Sequence, residues 1–179
     1  RFRRVIDALD EKPRWIHASN SAGIHRFDAR FTMVRAGLSL YGYAGFDDEP
    51  VLRLATRVVS VKTVPAGSSV GYGRTWTASE SRRIAVVALG YGDGYPWALS
   101  NRGWMWVGQT PCPVVGRVCM DVTMVDVTGA GDVAPGDPVT VFGGDGPDLG
   151  WLAEQAGTIP YEMLTRLTPR IRRVFESSL

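Results

Sequence analysis

An apolar run, Ile84 to Leu89, ends in Gly90-Tyr91-Gly92-Asp93-Gly94-Tyr95-Pro96. Glycines at this spacing permit a tight turn and a close approach by another backbone, so the run presents the phenol of Tyr91 at a strand end. A phenol on a stiff support is an acid/base group. It is a weak one near neutral pH, because its reference pKa is about 10 and a nearby cation is needed to favour the phenolate. The same residues also fit a plainer reading, a strand followed by a polar turn with a half-buried tyrosine. Two further segments could hold an anion. His17-Ala18-Ser19-Asn20-Ser21-Ala22-Gly23 offers the Ser21 hydroxyl, and Met33-Val34-Arg35-Ala36-Gly37-Leu38 offers one guanidinium beside the Gly37 and Leu38 amides at an expected helix start. Taken singly, each also fits a capped turn and a solvated arginine.

The chain has 179 residues, 45% hydrophobic and 21% charged, with a net charge of +2. That suits one globular domain, or one domain with a piece of another, and gives no electrostatic reason to expect nucleic acid or a membrane surface. Cys112 and Cys119 form no Cys-x-x-Cys pair and only His17 and His25 are present, so no Cys/His metal site is expected. No apolar run reaches the length of a membrane span, no disulfide framework is visible, and a reducing cytoplasm is the expected setting. Lysine is scarce, with only Lys12 and Lys62.

The elements that must position these groups read as follows. Phe2, Val5, Ile6 and Leu9 have helical spacing without a preceding cap, as in a chain that begins inside an element, and Pro13 ends the pattern. A short strand is expected over 14–19, a loop or helical turn over 20–30, and a strand end turning through Gly37 over 33–42. A polar linker, 45–50, follows. Strands are then expected over 52–64, 72–76, 83–89, 104–107, 109–112, 114–120, 122–127 and 138–142, with a hairpin at Gly108 and 83–89 central. Asp148 should cap a helix that Gly157 ends. Pro160 should open a second, and 170–175 should form a basic edge strand.

The order HASNSAG (17–23), MVRAGLSLYG (33–42), GYGRT (71–75), GYGDGYP (90–96), VGRVCMD (115–121) and GTIPYE (157–162) resembles the C-terminal part of the alanine racemase family. The resemblance covers nearly the whole chain. It implies a mainly β protein, with a barrel- or sandwich-like C-terminal β domain over 45–179, preceded over 1–44 by the last strand and flanks of a β/α barrel that binds pyridoxal 5′-phosphate. It implies interconversion of L- and D-alanine by two bases, supplying D-alanine for peptidoglycan, in a cytoplasmic homodimer. Tyr91 would be the catalytic tyrosine, acting in trans at the partner's site. Arg35 would hold the pyridine nitrogen with His17 as its support. Ser21, the Gly37 and Leu38 amides, and Tyr161 would hold the phosphate. The Met120 amide would receive the substrate carboxylate, and Arg117, Asp121 and Ile159 would line the substrate corridor. No metal is implied.

Two departures stand out. The family's cofactor lysine belongs to a barrel segment with no counterpart here; neither Lys12 nor Lys62 matches its motif, so an N-terminal barrel half is expected elsewhere. Trp97 stands where many relatives carry a basic residue. Two other readings stay open: an isolated, non-catalytic β module for dimerisation or binding, and a racemase of serine or of many amino acids.

Overall fold

The computed structural model describes residues 1–28, 30–45 and 49–175. The chain divides into two compact units, Arg1–Glu49 and Pro50–Leu179. The second is mainly β. Its main sheet comprises β1 (Leu54–Val64), β4 (Arg82–Val87), β5 (Trp104–Val107), β6 (Thr110–Pro113), β7 (Thr123–Asp126) and β8 (Pro138–Phe142); β2 (Ser69–Val70) and β3 (Trp76–Thr77) form a separate short pair. The order across the main sheet is β6-β5-β8-β1-β4-β7, with every pairing antiparallel.

The long strand β1 makes this architecture possible. Its first part pairs with β8 (Ala55 opposite Thr140) and its second with β4 (Val61 opposite Ala85), with irregular register between Val58 and Ser60. Such a break bends a strand and raises its twist. The sheet curls far enough for Val114, just past β6, to bridge Val125 on β7, so its two edges meet and it nearly closes. Val58, Ala85, Val87, Met105, Val125, Val139 and Val141 are buried along its strands, and Phe142, next to Val141 and so on the opposite face of β8, is buried as well. β4, expected to be central, is an internal strand paired on both sides, with β1 and β7, and stands second from the β7 end of the order.

Asp148 caps α3 (Leu149–Ala156) by accepting from the Trp151 amide at 2.8 Å, and Gly157 ends the helix in the left-handed region. α4 (Pro160–Thr165) opens on proline, which lacks the N–H that would be unsatisfied there.

Three expected strands of the second unit take other forms. Residues 72–76 hold a 3-10 turn, Tyr72–Arg74, at the apex of the β2–β3 hairpin. Positive φ at Gly71, Gly73 and Arg74 rules out extended backbone there. Residues 114–120 run as an irregular loop that turns at Gly116 (φ 76°), tied to its neighbour by Val115 N–H to Met124 O and Cys119 N–H to Val122 O, both 2.9 Å. Residues 170–175 form no strand, and Arg170 spends its donors on two carboxylates instead.

In the first unit α1 spans Phe2–Asp7 and α2 Ser21–Arg26. The Asn20 side chain caps α2 by accepting from Gly23 N–H at 3.0 Å. The strand expected at 14–19 is reduced to one parallel bridge, Asn20 with Arg35, supported by Arg35 N–H to Ser19 O at 2.8 Å. Two short extended pieces make a bridge where a longer ladder would make a strand. Phe31 packs edge-on against Phe2 with ring centres 5.2 Å apart. Residues 46–48 of the expected linker lie outside the described residues.

Candidate functional site

The Tyr91 turn is held by the 117–121 loop. Tyr91 N–H donates to Cys119 O (3.0 Å) and Gly92 N–H to Met120 O (2.9 Å). A Cβ on Gly90 would sit 2.3 Å from both the Cys119 and Met120 carbonyl oxygens, so only glycine lets the two backbones meet. The Asp93 carboxylate caps the turn by accepting from Gly90 N–H at 2.9 Å. Arg170 then reaches over it: Nε lies 3.3 Å from Asp93 and Nη2 2.5 Å from Asp121. The hydrogen bond that Arg170 donates to Asp121 and the charge of Asp93 raise the arginine's affinity for its proton further. Thr168 adds N–H to Asp93 O and Oγ1 to Gly92 O, both 3.1 Å. A loop that must place one ring is thus bonded on two sides.

The ring is not sealed in the core. Tyr91 is 50% exposed and helps to line an open groove of about 310 Å³ with Tyr72, Gly73, Trp97, Arg117, Val118 and Cys119. Tyr72 is the functional candidate that reading the sequence passed over, because 72–76 read as a strand. It is 76% exposed, at the apex of the β2–β3 hairpin. The signal was present: Gly71-Tyr72-Gly73 repeats the Gly-Tyr-Gly of 90–92. Gly71 sits at φ 76°, where a Cβ would lie 3.2 Å from the Arg117 nitrogen, so this apex also rests on the 116–117 backbone. One loop, 115–121, therefore supports both phenols.

Other predicted residues of this unit fall as follows. Arg117 lines the groove with its guanidinium over the Trp97 ring. Met120 is exposed, and among the described residues its N–H makes no hydrogen bond, leaving a donor open toward solvent. Asp121 is engaged by Arg170 and does not line the groove. Ile159 precedes α4 and Tyr161 lies in its first turn, both exposed.

In the first unit, Ser21 is buried and its Oγ accepts from Gly37 N–H (3.0 Å) and Ser39 N–H (3.2 Å). A hydroxyl has two acceptor positions and one proton. With both acceptor positions filled, what Ser21 has left is its O–H, a donor. The Gly37 amide, expected to face an anion, is used by Ser21. The Leu38 amide opens the 3-10 turn Leu38–Tyr41, where no carbonyl of that turn can reach it. Arg35 is exposed and donates to Ala18 O at 3.4 Å. Among the described residues no hydrogen bond joins it to His17. Lys12 lies beyond α1 and Lys62 on β1, both exposed. Among the described residues no His, Cys, Asp and Glu side chains group so as to hold a metal ion, and no helix is long and apolar enough to cross a membrane.

Comparison with known proteins agrees on one family. The alanine racemase C-terminal domain matches residues 51–175 and the alanine racemase N-terminal domain matches residues 1–45. An alanine racemase of Chlorobaculum tepidum is 43% identical over 97% of this chain and 48% of its own length. Among solved structures, alanine racemase from Streptomyces lavendulae superposes with a TM-score of 0.89 at 31% identity, covering 99% of this chain and 50% of that one. The Bartonella henselae enzyme, solved with covalently bound pyridoxal phosphate, gives 0.86 at 30% identity over 97% of this chain and 49% of that one. The chain spans about half the length of the relatives it matches.

Proposed function

The chain belongs to the alanine racemase family, and from that premise we propose that it supplies the β domain and part of the cofactor site of an enzyme that interconverts L- and D-alanine. In this reading residues 1–44 close a cofactor-holding β/α barrel and 45–179 are the β domain. The lysine that attaches the cofactor belongs to the part of the relatives that this chain does not match. The enzyme works as a cytoplasmic homodimer and supplies D-alanine for peptidoglycan.

Pyridoxal 5′-phosphate fits the donor set of the first unit. The Ser21 hydroxyl with its acceptor positions filled, and the open Leu38 amide, suit a phosphate; the family resemblance assigns Tyr161, a residue of the second unit, a phosphate contact as well. When bound, the cofactor withdraws electrons from the substrate's α-carbon and makes its proton exchangeable. Arg35 would hold the ring nitrogen by donating to it; a guanidinium does not surrender its proton, so the ring stays a moderate electron sink. His17 stands beside Ala18, whose carbonyl holds Arg35. The Met120 amide would hold the substrate carboxylate, and Arg117 and Ile159 would line the approach, with Asp121 fixed by Arg170.

Racemisation needs a proton removed from one face and returned to the other, hence two bases. One is the lysine. The observation that supports this chain as the source of the other is the groove with two phenols on glycine turns. Tyr91 is the candidate read from the sequence. Exposure favours Tyr72 as a second reading, since a ring acting at a partner subunit must project away from its own domain. Steady-state racemisation in both directions by the complete enzyme carrying Tyr72→Phe or Tyr91→Phe tests this. We expect one substitution to lower kcat/KM by about 10²–10⁴ and the other to change mainly KM. Wild-type-like rates in both variants would remove the phenols from the mechanism.

A further inference from the structure

The guanidinium carbon of Arg117 lies 4.6 Å from the centre of the Trp97 ring, and both residues line the groove beside the two phenols. Their backbones are tied at the base. Trp97 begins the 3-10 turn Trp97–Leu99, and the next residue, Ser100, donates its Oγ–H to Trp97 O at 2.5 Å. Ser100 Oγ in turn accepts from the N–H of Val118, the residue after Arg117, at 3.0 Å. One buried hydroxyl thus joins the turn that carries the ring to the loop that carries the cation. Core packing is supplied by the neighbour Leu99, fully buried, which leaves the indole 52% exposed on the groove wall. Among the described residues Arg117 pairs with no carboxylate, so its charge is held by an aromatic face and stays available to an anion.

We infer that Trp97 is a specificity-determining residue of this groove: its face holds Arg117 toward the carboxylate of an incoming amino acid, and its edge bounds the room for that amino acid's side chain, so small side chains are favoured. This rests on the proposed racemase reading. It adds a residue whose role is selection among amino acids. The pair is a partly exposed cation–π contact, so its loss frees the arginine without unfolding the domain. A flat ring removed from a groove wall opens several carbon atoms' worth of space, and each methylene that a pocket accepts or refuses changes discrimination by tenfold or more.

The test uses the complete enzyme with cofactor and compares kcat/KM for alanine with that for serine and for 2-aminobutyrate. Trp97→Ala is expected to raise the ratio of the larger substrates to alanine by about tenfold, with KM for alanine rising more than kcat falls. Trp97→Phe, which keeps a ring, is expected to retain the wild-type ratio. A second readout does not depend on turnover. The Arg117 Nε–H resonance, shielded by the indole ring, is expected to move downfield in Trp97→Ala. An unchanged ratio in Trp97→Ala, or an unmoved Arg117 resonance, overturns the inference. Failure of the racemase reading looks different: the wild-type enzyme itself would not exchange the α-proton of alanine.

Discussion

Between Pro50 and Leu179 a set of large apolar side chains forms a core: Leu99, Met105, Phe142, Leu149 and Leu152 are fully buried. Between Arg1 and Glu49, among the described residues, only Ile6 and Leu38 are buried hydrophobics, while Phe2, Val5, Leu9, Trp15, Phe27 and Leu40 are exposed. The second unit has a core of its own. The first has the spacing of core residues without the core. Chains below about 40 residues rarely bury enough surface to offset the entropy of ordering them, and the first unit is close to that limit. The difference separates the roles. The β unit can fix its groove by its own packing, while the first unit's polar set needs a scaffold larger than itself.

The comparison can be broken by mutation. Phe142→Ala should cost about 3–5 kcal/mol and lower the midpoint of chemical denaturation of the 179-residue chain, whereas Leu38→Ala should leave the midpoint of the β unit unchanged. Equal losses would mean that the two units share one cooperative core. Next in size is Gly90→Ala. Its methyl would meet the two carbonyl oxygens of the 117–121 loop, at a cost of about 1–3 kcal/mol, and should release the Tyr91 and Gly92 amides to faster hydrogen exchange. Asp148→Ala should cost about 1 kcal/mol through loss of the α3 cap, read from the same denaturation curves.

Another effect appears only in alkali. Burial, with a contribution from the charge of Asp126, pushes the Cys112 thiol from 9.0 to about 11. A folded-state pKa above the unfolded one favours the folded state below about pH 9, and that contribution is lost as pH rises toward about 11. Stability of the β unit should therefore fall across that window. Cys112→Ala should flatten the slope.

Much of the β unit was legible in the sequence because its signals are local. Asp148 and Gly157 bracket α3, Gly108 turns the β5–β6 hairpin, and the apolar run at 84–89 marks a strand paired on both sides. The misread segments, 72–76, 114–120 and 170–175, owe their shapes to partners far along the chain. Gly71 packs on Arg117 N, Gly90 on the 119–120 carbonyls, and Arg170 on Asp93 and Asp121. No window of neighbouring residues carries that information. The same holds for the candidate site. Tyr91 was singled out because an apolar strand precedes it; the Gly-Tyr-Gly of 71–73 stands equally in the sequence, but the hairpin that brings Tyr72 to the same groove does not. Ser21 and Arg35 were legible as polar groups at expected strand ends, but the capture of the Gly37 amide by Ser21 was not.

The central claim is that a phenol of the groove exchanges the α-proton on one face of the substrate. The most direct measurement is loss of α-deuterium from L-alanine and from D-alanine, followed separately in water, by the complete enzyme and its Tyr72→Phe and Tyr91→Phe variants. The account predicts that one variant loses exchange from a single enantiomer while keeping it from the other. Undiminished exchange from both enantiomers in both variants would contradict it.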